Sequence, residues 1–232
     1  MLHLDAFGEK FAFQYGGDAL IPVTIRKVEG EELYLSVIPR LKSAGKRFLD
    51  RFSDHPFSDA AIRWLWEQVE GRASEWGFVR NRYSTSHCRI LRYRGDGAFD
   101  RSMIEKTVPL TEEDDERNDT LFDLAEEIEI GKLCYGVLEG GRVVSIAVSH
   151  VSPDVLSPGD PLEMGIETVP SARRRGYATA CLGRMTKEIL DRGLLPEFRC
   201  AYRNVASLRT ALRVGYRQEG RVCYFLLRRK DR

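Results

Sequence analysis

The sequence predicts an α/β (α+β) protein: a mixed central sheet flanked by helices, preceded by a further α/β region. Runs of alternating apolar and polar residues mark strands, and runs with apolar residues three and four apart mark helices. From residue 103 these runs follow one another in the order β-α-β-β-β-α-β-α-β. At 232 residues and 43% hydrophobic, the chain is long enough for one large domain or two small ones and can bury a real core. The division it suggests is an N-terminal α/β region over 1–102 and a main domain over 103–232.

Taken in order, "LIPVTIRKVEGEELYLSVIP" alternates on both sides of a polar, Gly-containing turn and predicts a hairpin. "FSDAAIRWLWEQVEGRASEWGF" predicts a helix capped by Ser58, with Ile62, Leu65, Trp66 and Val69 at helical spacing. Trp64, Trp66 and Trp76 read as packing residues ahead of any base-stacking box. "HCRILRYRG" predicts another strand. "EKTVPLTEEDDERNDTLFDLAEEIE" predicts a short strand and then one helix, with Thr111 as N-cap, acids in its first turn, and Leu121, Leu124, Ala125 and Ile128 on its buried face. "LCYGVLEGGRVVSIAVSHV" holds two apolar runs around Glu-Gly-Gly, a hairpin signal. "PLEMGIETV" then predicts a strand, "SARRRGYATACLGRMTKEILDRG" a loop feeding a helix, "LPEFRCAY" a strand, "NVASLRTALRVGY" a short helix and "EGRVCYFLLRRK" a last strand.

Composition excludes some functions. No apolar run approaches the roughly 20 residues that span a bilayer. The opening "MLHLDAFGEK" lacks the basic and apolar regions of an export signal, so a cytoplasmic protein is expected. Five cysteines, scattered and without a CxxC, indicate neither a disulfide framework nor a zinc site, and no metal is expected. The net charge of +1 argues against general nucleic-acid or membrane affinity, but residues 171–232 carry 16 Lys/Arg against 5 Asp/Glu. That segment should attract a polyanion, whether RNA, DNA or a phosphorylated cofactor.

The stretch "ETVPSARRRGYATACL" narrows the choice. Arg173, Arg174, Arg175 and Gly176 stand between a strand and a helix whose apolar positions are Ala178, Thr179, Cys181, Leu182, Met185 and Ile189. A helix N-terminus offers unpaired N–H groups and a positive dipole end, and glycine lets a phosphate approach the main chain. A diphosphate bound at this turn explains the strand, the glycine, the small Ala178 and the arginines together. A solvated basic turn explains only the charge.

Arg173-x-x-Gly176-x-Ala178 resembles the acyl-CoA pyrophosphate loop of the GNAT N-acetyltransferase superfamily. "RNVASLRTALRVGYRQEG" resembles its second signature, here Asn204, Ser207, Gly215 and Tyr216. The resemblance spans roughly residues 103–232 and is nearest to a bacterial subgroup reading Asn-x-x-Ser-x-x-x-Ala-x-x-x-Gly-Tyr, whose chemistry is little assigned. It implies acetyl-CoA as co-substrate, with the main chain of Arg174, Arg175, Gly176, Tyr177, Ala178 and Thr179 on the pyrophosphate. Main-chain groups near Thr168 and Val169 would pair with the pantetheine arm, and Asn204 with Ser207 would steady the cofactor. The side chains of Arg173, Arg174 and Arg175 need not all reach phosphate.

Acetyl transfer to an amine needs a close, neutral amine, and a proton for the leaving thiolate. Glu163, Gly165, Glu167 and Val169 share one face of their strand, so Glu163 and Glu167 are the candidates to deprotonate or bind the amine. The family's usual acid tyrosine is Ala211 here, which leaves Tyr202, Tyr216 and Tyr224. Tyr202, just before Asn204, is the candidate nearest in sequence, and Tyr216 reads as structural. His3, His55, His87 and His150 lie in no motif, though His150 ends a strand that could face the cleft. The expected activity is transfer of acetyl from acetyl-CoA to a small-molecule or peptide amine, in a protein for which a homodimer stays open. The N-terminal region would shape the acceptor site and could be a degenerate half of the same fold. Two other classes stand beside this: a non-catalytic CoA-binding sensor and an RNA- or tRNA-directed protein.

Overall fold

The computed structural model describes residues 2–4, 19–95 and 101–230. Most of "MLHLDAFGEK" and the side chains of His3, of residues 81–84 and of Arg101 lie outside what it describes. Its strands are β1 (Leu2–Leu4), β2 (Ala19–Val28), β3 (Tyr34–Val37), β4 (Phe78–Tyr93), β5 (Val108–Pro109), β6 (Cys134–Glu139), β7 (Arg142–Ser149), β8 (Pro161–Thr168), β9 (Leu195–Ala201) and β10 (Tyr216–Arg229). The helices are α1 (Lys42–Phe52), α2 (Asp59–Ala73), α3 (Leu124–Glu129), α4 (Tyr177–Asp191) and α5 (Val205–Val214). The chain forms two compact units, residues 1–89 with 220–232, and residues 90–219.

In the first unit β2 and β3 pair antiparallel, as the sequence predicts, β1 joins β3 in parallel and β10 joins β2 antiparallel. Ser58 caps α2 by accepting the Ala61 N–H. Leu65, Trp66 and Val69 of that helix are buried in one cluster with Phe48 of α1 and Cys223 and Phe225 of β10. The tryptophans are packing residues. Trp66 lies 4.7 Å from the Phe225 ring and donates to Thr85 Oγ1 at 2.7 Å, and Trp64 stacks near Phe48 and Phe52.

In the second unit β5, β6, β7 and β8 pair antiparallel in sequence order, and β9 joins β8 in parallel. The β6–β7 hairpin turns at Gly140 and Gly141, both at positive φ. Helix α4 buries Cys181, Leu182, Met185 and Ile189 in a core with Met164, Phe198 and Tyr216. The Tyr216 hydroxyl pairs with Thr186 at 2.7 Å inside that core, and burial pushes its phenol well up, which makes it a structural residue.

One predicted element is corrected. Residues 112–129 do not form a single helix. Thr111 caps only a 3-10 turn, Glu112–Arg117, through a capping box with Asp114, and Asp123 caps α3 afresh by accepting the Glu126 N–H. Between them Asn118 bonds to the Thr120 N–H and to the Phe122 carbonyl, which satisfies the backbone outside a helix. Leu124 is buried as expected, but Leu121 is 92% exposed.

Candidate functional site

The site begins where β8 parts from β9. Their parallel pairing ends at Met164–Phe198, while β8 stays paired to β7 as far as Ser145–Thr168. The Val169 N–H donates to Val144 O at 3.0 Å, so alternation turns the main-chain groups of Ile166 and Thr168 toward the side that β9 has left. Ser145 fixes this end of β8: its hydroxyl donates to Glu167 O at 3.1 Å, pairs with Thr168 Oγ1 at 2.7 Å and accepts from Cys181 of α4.

The turn that follows starts α4. A short 3-10 turn, Pro170–Ala172, leads into Arg174 at φ 62° and Gly176 at φ 85°, and Gly176 is the N-cap. A β-carbon there would also come within 2.8 Å of Met103 Cε. Ala180 N–H reaches Gly176 O, so the N–H groups of Tyr177, Ala178 and Thr179 lie in the first turn, where no helical carbonyl precedes them.

A groove of about 520 Å³ runs from the released edge of β8 to this turn and on to α5. Of the residues singled out in the sequence, Glu167, Thr168, Arg173, Arg174, Gly176, Tyr177, Ala178, Thr179, Asn204 and Ser207 line it. Val169 is buried beside it. The three arginines divide. Arg173 Nε donates to Thr168 O at 3.1 Å, and Arg175 turns away to Glu139 and to Ser171 O. Asn204 caps α5, its side-chain oxygen accepting the Ser207 N–H at 3.1 Å. Ala178, expected on the apolar side of α4, faces the groove. Thr210 and Arg213, one and two turns further along α5, line it as well; they follow Asn204 and Ser207 at helical spacing, which was the signal for them.

Glu163 is not among the groove-lining residues and stands next to Glu197 in the β8–β9 register. Its carboxylate takes Arg199 at 2.9 Å and faces His150 Nδ1 at 3.4 Å. Glu167 accepts the Leu121 N–H at 2.9 Å. Tyr202 is half-buried, accepts from Gln218 at 3.4 Å and is not among the groove-lining residues. Burial pushes the thiols of Cys134, Cys181 and Cys223 up to about 12, which removes them as nucleophiles. Among the described residues no group of His, Cys, Asp or Glu gathers to hold a metal, and no helix is long and apolar enough to cross a membrane.

Residues 116–224 match the sequence profile of the family described as GNAT acetyltransferase. Just under half of the chain, the part that holds the groove, is similar to GNAT acetyltransferases. Its mixed sheet flanked by helices is shared with a GNAT-family acetyltransferase of Colwellia psychrerythraea, 15% identical over 88% of this chain and 81% of that one, with a TM-score of 0.52. A GCN5-related N-acetyltransferase-like protein of Streptococcus suis is 20% identical over 95% and 94% of the two chains, with a TM-score of 0.47. No curated protein matches the sequence. The GNAT profile covers the groove, the arginine–glycine turn and both flanking helices, and GNAT enzymes transfer acyl groups from acetyl-CoA.

Proposed function

We propose that this chain is a GNAT enzyme that transfers acetyl from acetyl-CoA to a primary amine, in the cytoplasm, with its catalytic domain over residues 103–232. The observation that carries the reading is the turn at Gly176. It joins a helix N-terminus, a left-handed glycine, two groove-lining arginines and a strand edge released from its neighbour. These features fit the parts of acetyl-CoA. The first-turn N–H groups of α4 suit the pyrophosphate, since the N–H donors and the helix dipole act in the same sense. Arg173 and Arg174 add charge-assisted contacts. The main-chain groups of Ile166 and Thr168 suit a pantetheine arm, which pairs like an added strand. Asn204 and Ser207 close the far wall.

Acetyl-CoA would supply the thioester, and the chain supplies position and proton transfer. Glu163 and Glu167 hold the amine and take its proton. Tyr202 is retained as the proton donor to the leaving thiolate, because Ala211 stands where the family's tyrosine would be.

Thermal unfolding with acetyl-CoA, AMP or bulk RNA tests the reading. At about 100 times its dissociation constant a ligand adds roughly 2.7 kcal/mol, a rise of several degrees for a chain of this size. A rise with acetyl-CoA alone supports the cradle. A rise with RNA and none with acetyl-CoA would assign the arginines to a different polyanion.

A further inference from the structure

Part of the positive charge of residues 171–232 lies beyond the turn at Gly176, along α5. From Arg203 to Gln218 the sequence has four arginines and no acidic residue. One of the four, Arg213, lines the groove. Of the groove's cations, Arg173 is tied to Thr168 O, whereas Arg174 and Arg213 make no hydrogen bond or ion pair among the described residues. The next acid after α5 in the sequence, Glu219, is held by Arg94 at 2.6 Å and is not free to neutralise Arg213.

Arg174 stands in the turn that suits the pyrophosphate. Arg213 belongs to the far wall, where Asn204, Ser207, Thr210 and Arg213 follow one another at three-residue spacing and form a row along α5. It lies about 13 Å beyond the cap along the helix axis. Thr210 Oγ1 spends its proton on Ala206 O at 3.2 Å, which leaves Arg213 as the donor at this end of the row.

CoA carries two separate anionic groups. One is the pyrophosphate, and the other is a monoester phosphate on the 3′ oxygen of the ribose. With the pantetheine arm along β8 and the pyrophosphate at Gly176, the stretch of groove along α5 is left for the adenosine end. A monoester phosphate bears close to two negative charges at neutral pH and three acceptor oxygens, and the planar fork of an arginine meets two of these together. The pyrophosphate turn leaves Arg213 unused; the second phosphate accounts for it.

We infer that Arg213 seats the 3′-phosphate of the CoA adenosine, so that the protein selects CoA over dephospho-CoA. This rests on the acetyl-CoA reading above. Titration calorimetry with CoA and with dephospho-CoA tests it, on wild type, Arg213→Gln and Arg209→Gln. Arg209 lies one turn earlier on α5, carries the same charge and is not among the groove-lining residues. A charge-assisted contact at a solvent-open site changes affinity about ten-fold, so wild type should bind CoA at least about ten-fold tighter than dephospho-CoA. Arg213→Gln should lose about ten-fold for CoA and stay within about two-fold of wild type for dephospho-CoA, which also shows that the variant is folded. Arg209→Gln should keep the wild-type preference. Equal binding of the two ligands by wild type overturns the inference. So does an equal loss for both in Arg213→Gln, which would put Arg213 on the pyrophosphate. A loss of preference in Arg209→Gln as large as in Arg213→Gln also overturns it, because the helix's general field would then be the cause. Each of these leaves the cofactor reading standing. Failure of wild type to bind either ligand overturns both.

Discussion

Replacing Ala178 with glutamate should separate what the α4 N-terminus does for folding from what it does for binding. Ala178 is the second residue of α4 and faces the groove. A carboxylate there meets the positive end of the helix dipole, a gain of about 0.3–1 kcal/mol, which offsets the few tenths lost in helix propensity relative to alanine. The unliganded protein should therefore unfold within about 2 °C of wild type. A bound pyrophosphate would lie about 5 Å from the new charge. At an effective dielectric constant of about 20, each pair of unit charges at that distance repels by about 3 kcal/mol, a loss of about 100-fold or more in affinity. Titration calorimetry with acetyl-CoA reads the affinity and differential scanning calorimetry reads the midpoint. Ala178→Gln carries the same bulk without the charge and should lose far less. If the glutamate variant binds acetyl-CoA as tightly as the glutamine variant, no phosphate sits at this turn.

Three further outcomes are expected. The double variant Glu163→Gln with Glu167→Gln should lower amine-dependent turnover by about 10²- to 10⁴-fold and leave the acetyl-CoA midpoint shift intact; a normal rate across the pH range would remove both residues from proton transfer. Burial, with Arg221 adding to it, holds His87 below its ordinary 6.5, and its Nδ1 is buried with no hydrogen-bond partner among the described residues. The folded state therefore disfavours the protonated ring. The stability this gives is present above about pH 6.5 and is lost as the pH falls through the folded value, so unfolding free energy from about pH 7.5 to 5 should drop less steeply in His87→Gln than in wild type. Equal slopes would refute that. Iodoacetamide at about pH 8 should label half-buried Cys88 ahead of Cys134, Cys181 and Cys223, read by peptide mass; early labelling of any of those three would contradict their burial.

Much of the fold was legible because local chemistry and tertiary structure agree. Ser58, the Gly140–Gly141 turn, Gly176 and Gly215 mark the ends of elements in the sequence and do so in the fold. Residues 112–129 were misread because Thr111 and Asp123 are both good caps, and the pattern alone does not say that the second restarts the helix. Leu121 sits at helical spacing, yet a side-chain bond from Asn118 and a carboxylate 46 residues away decide its position. The groove's lining was largely readable from one contiguous stretch and one helix. The division of labour among Arg173, Arg174 and Arg175 was not, since it depends on Glu139 from a different strand. The sharing of Arg199 between Glu163 and Glu197 likewise requires the β8–β9 register.

The pairing of β10 with β2 has a consequence for biosynthesis. Residues 90–219 are contiguous and can close their core as soon as they have left the ribosome. Residues 1–89 wait much longer. Their buried cluster includes Cys223, Phe225 and Leu227, and β2 has its β10 partner only after residues 220–228 have been made. The N-terminal unit is thus the last to complete, and a nascent chain stopped just before residue 220 would display the β2 edge and an open apolar face to chaperones.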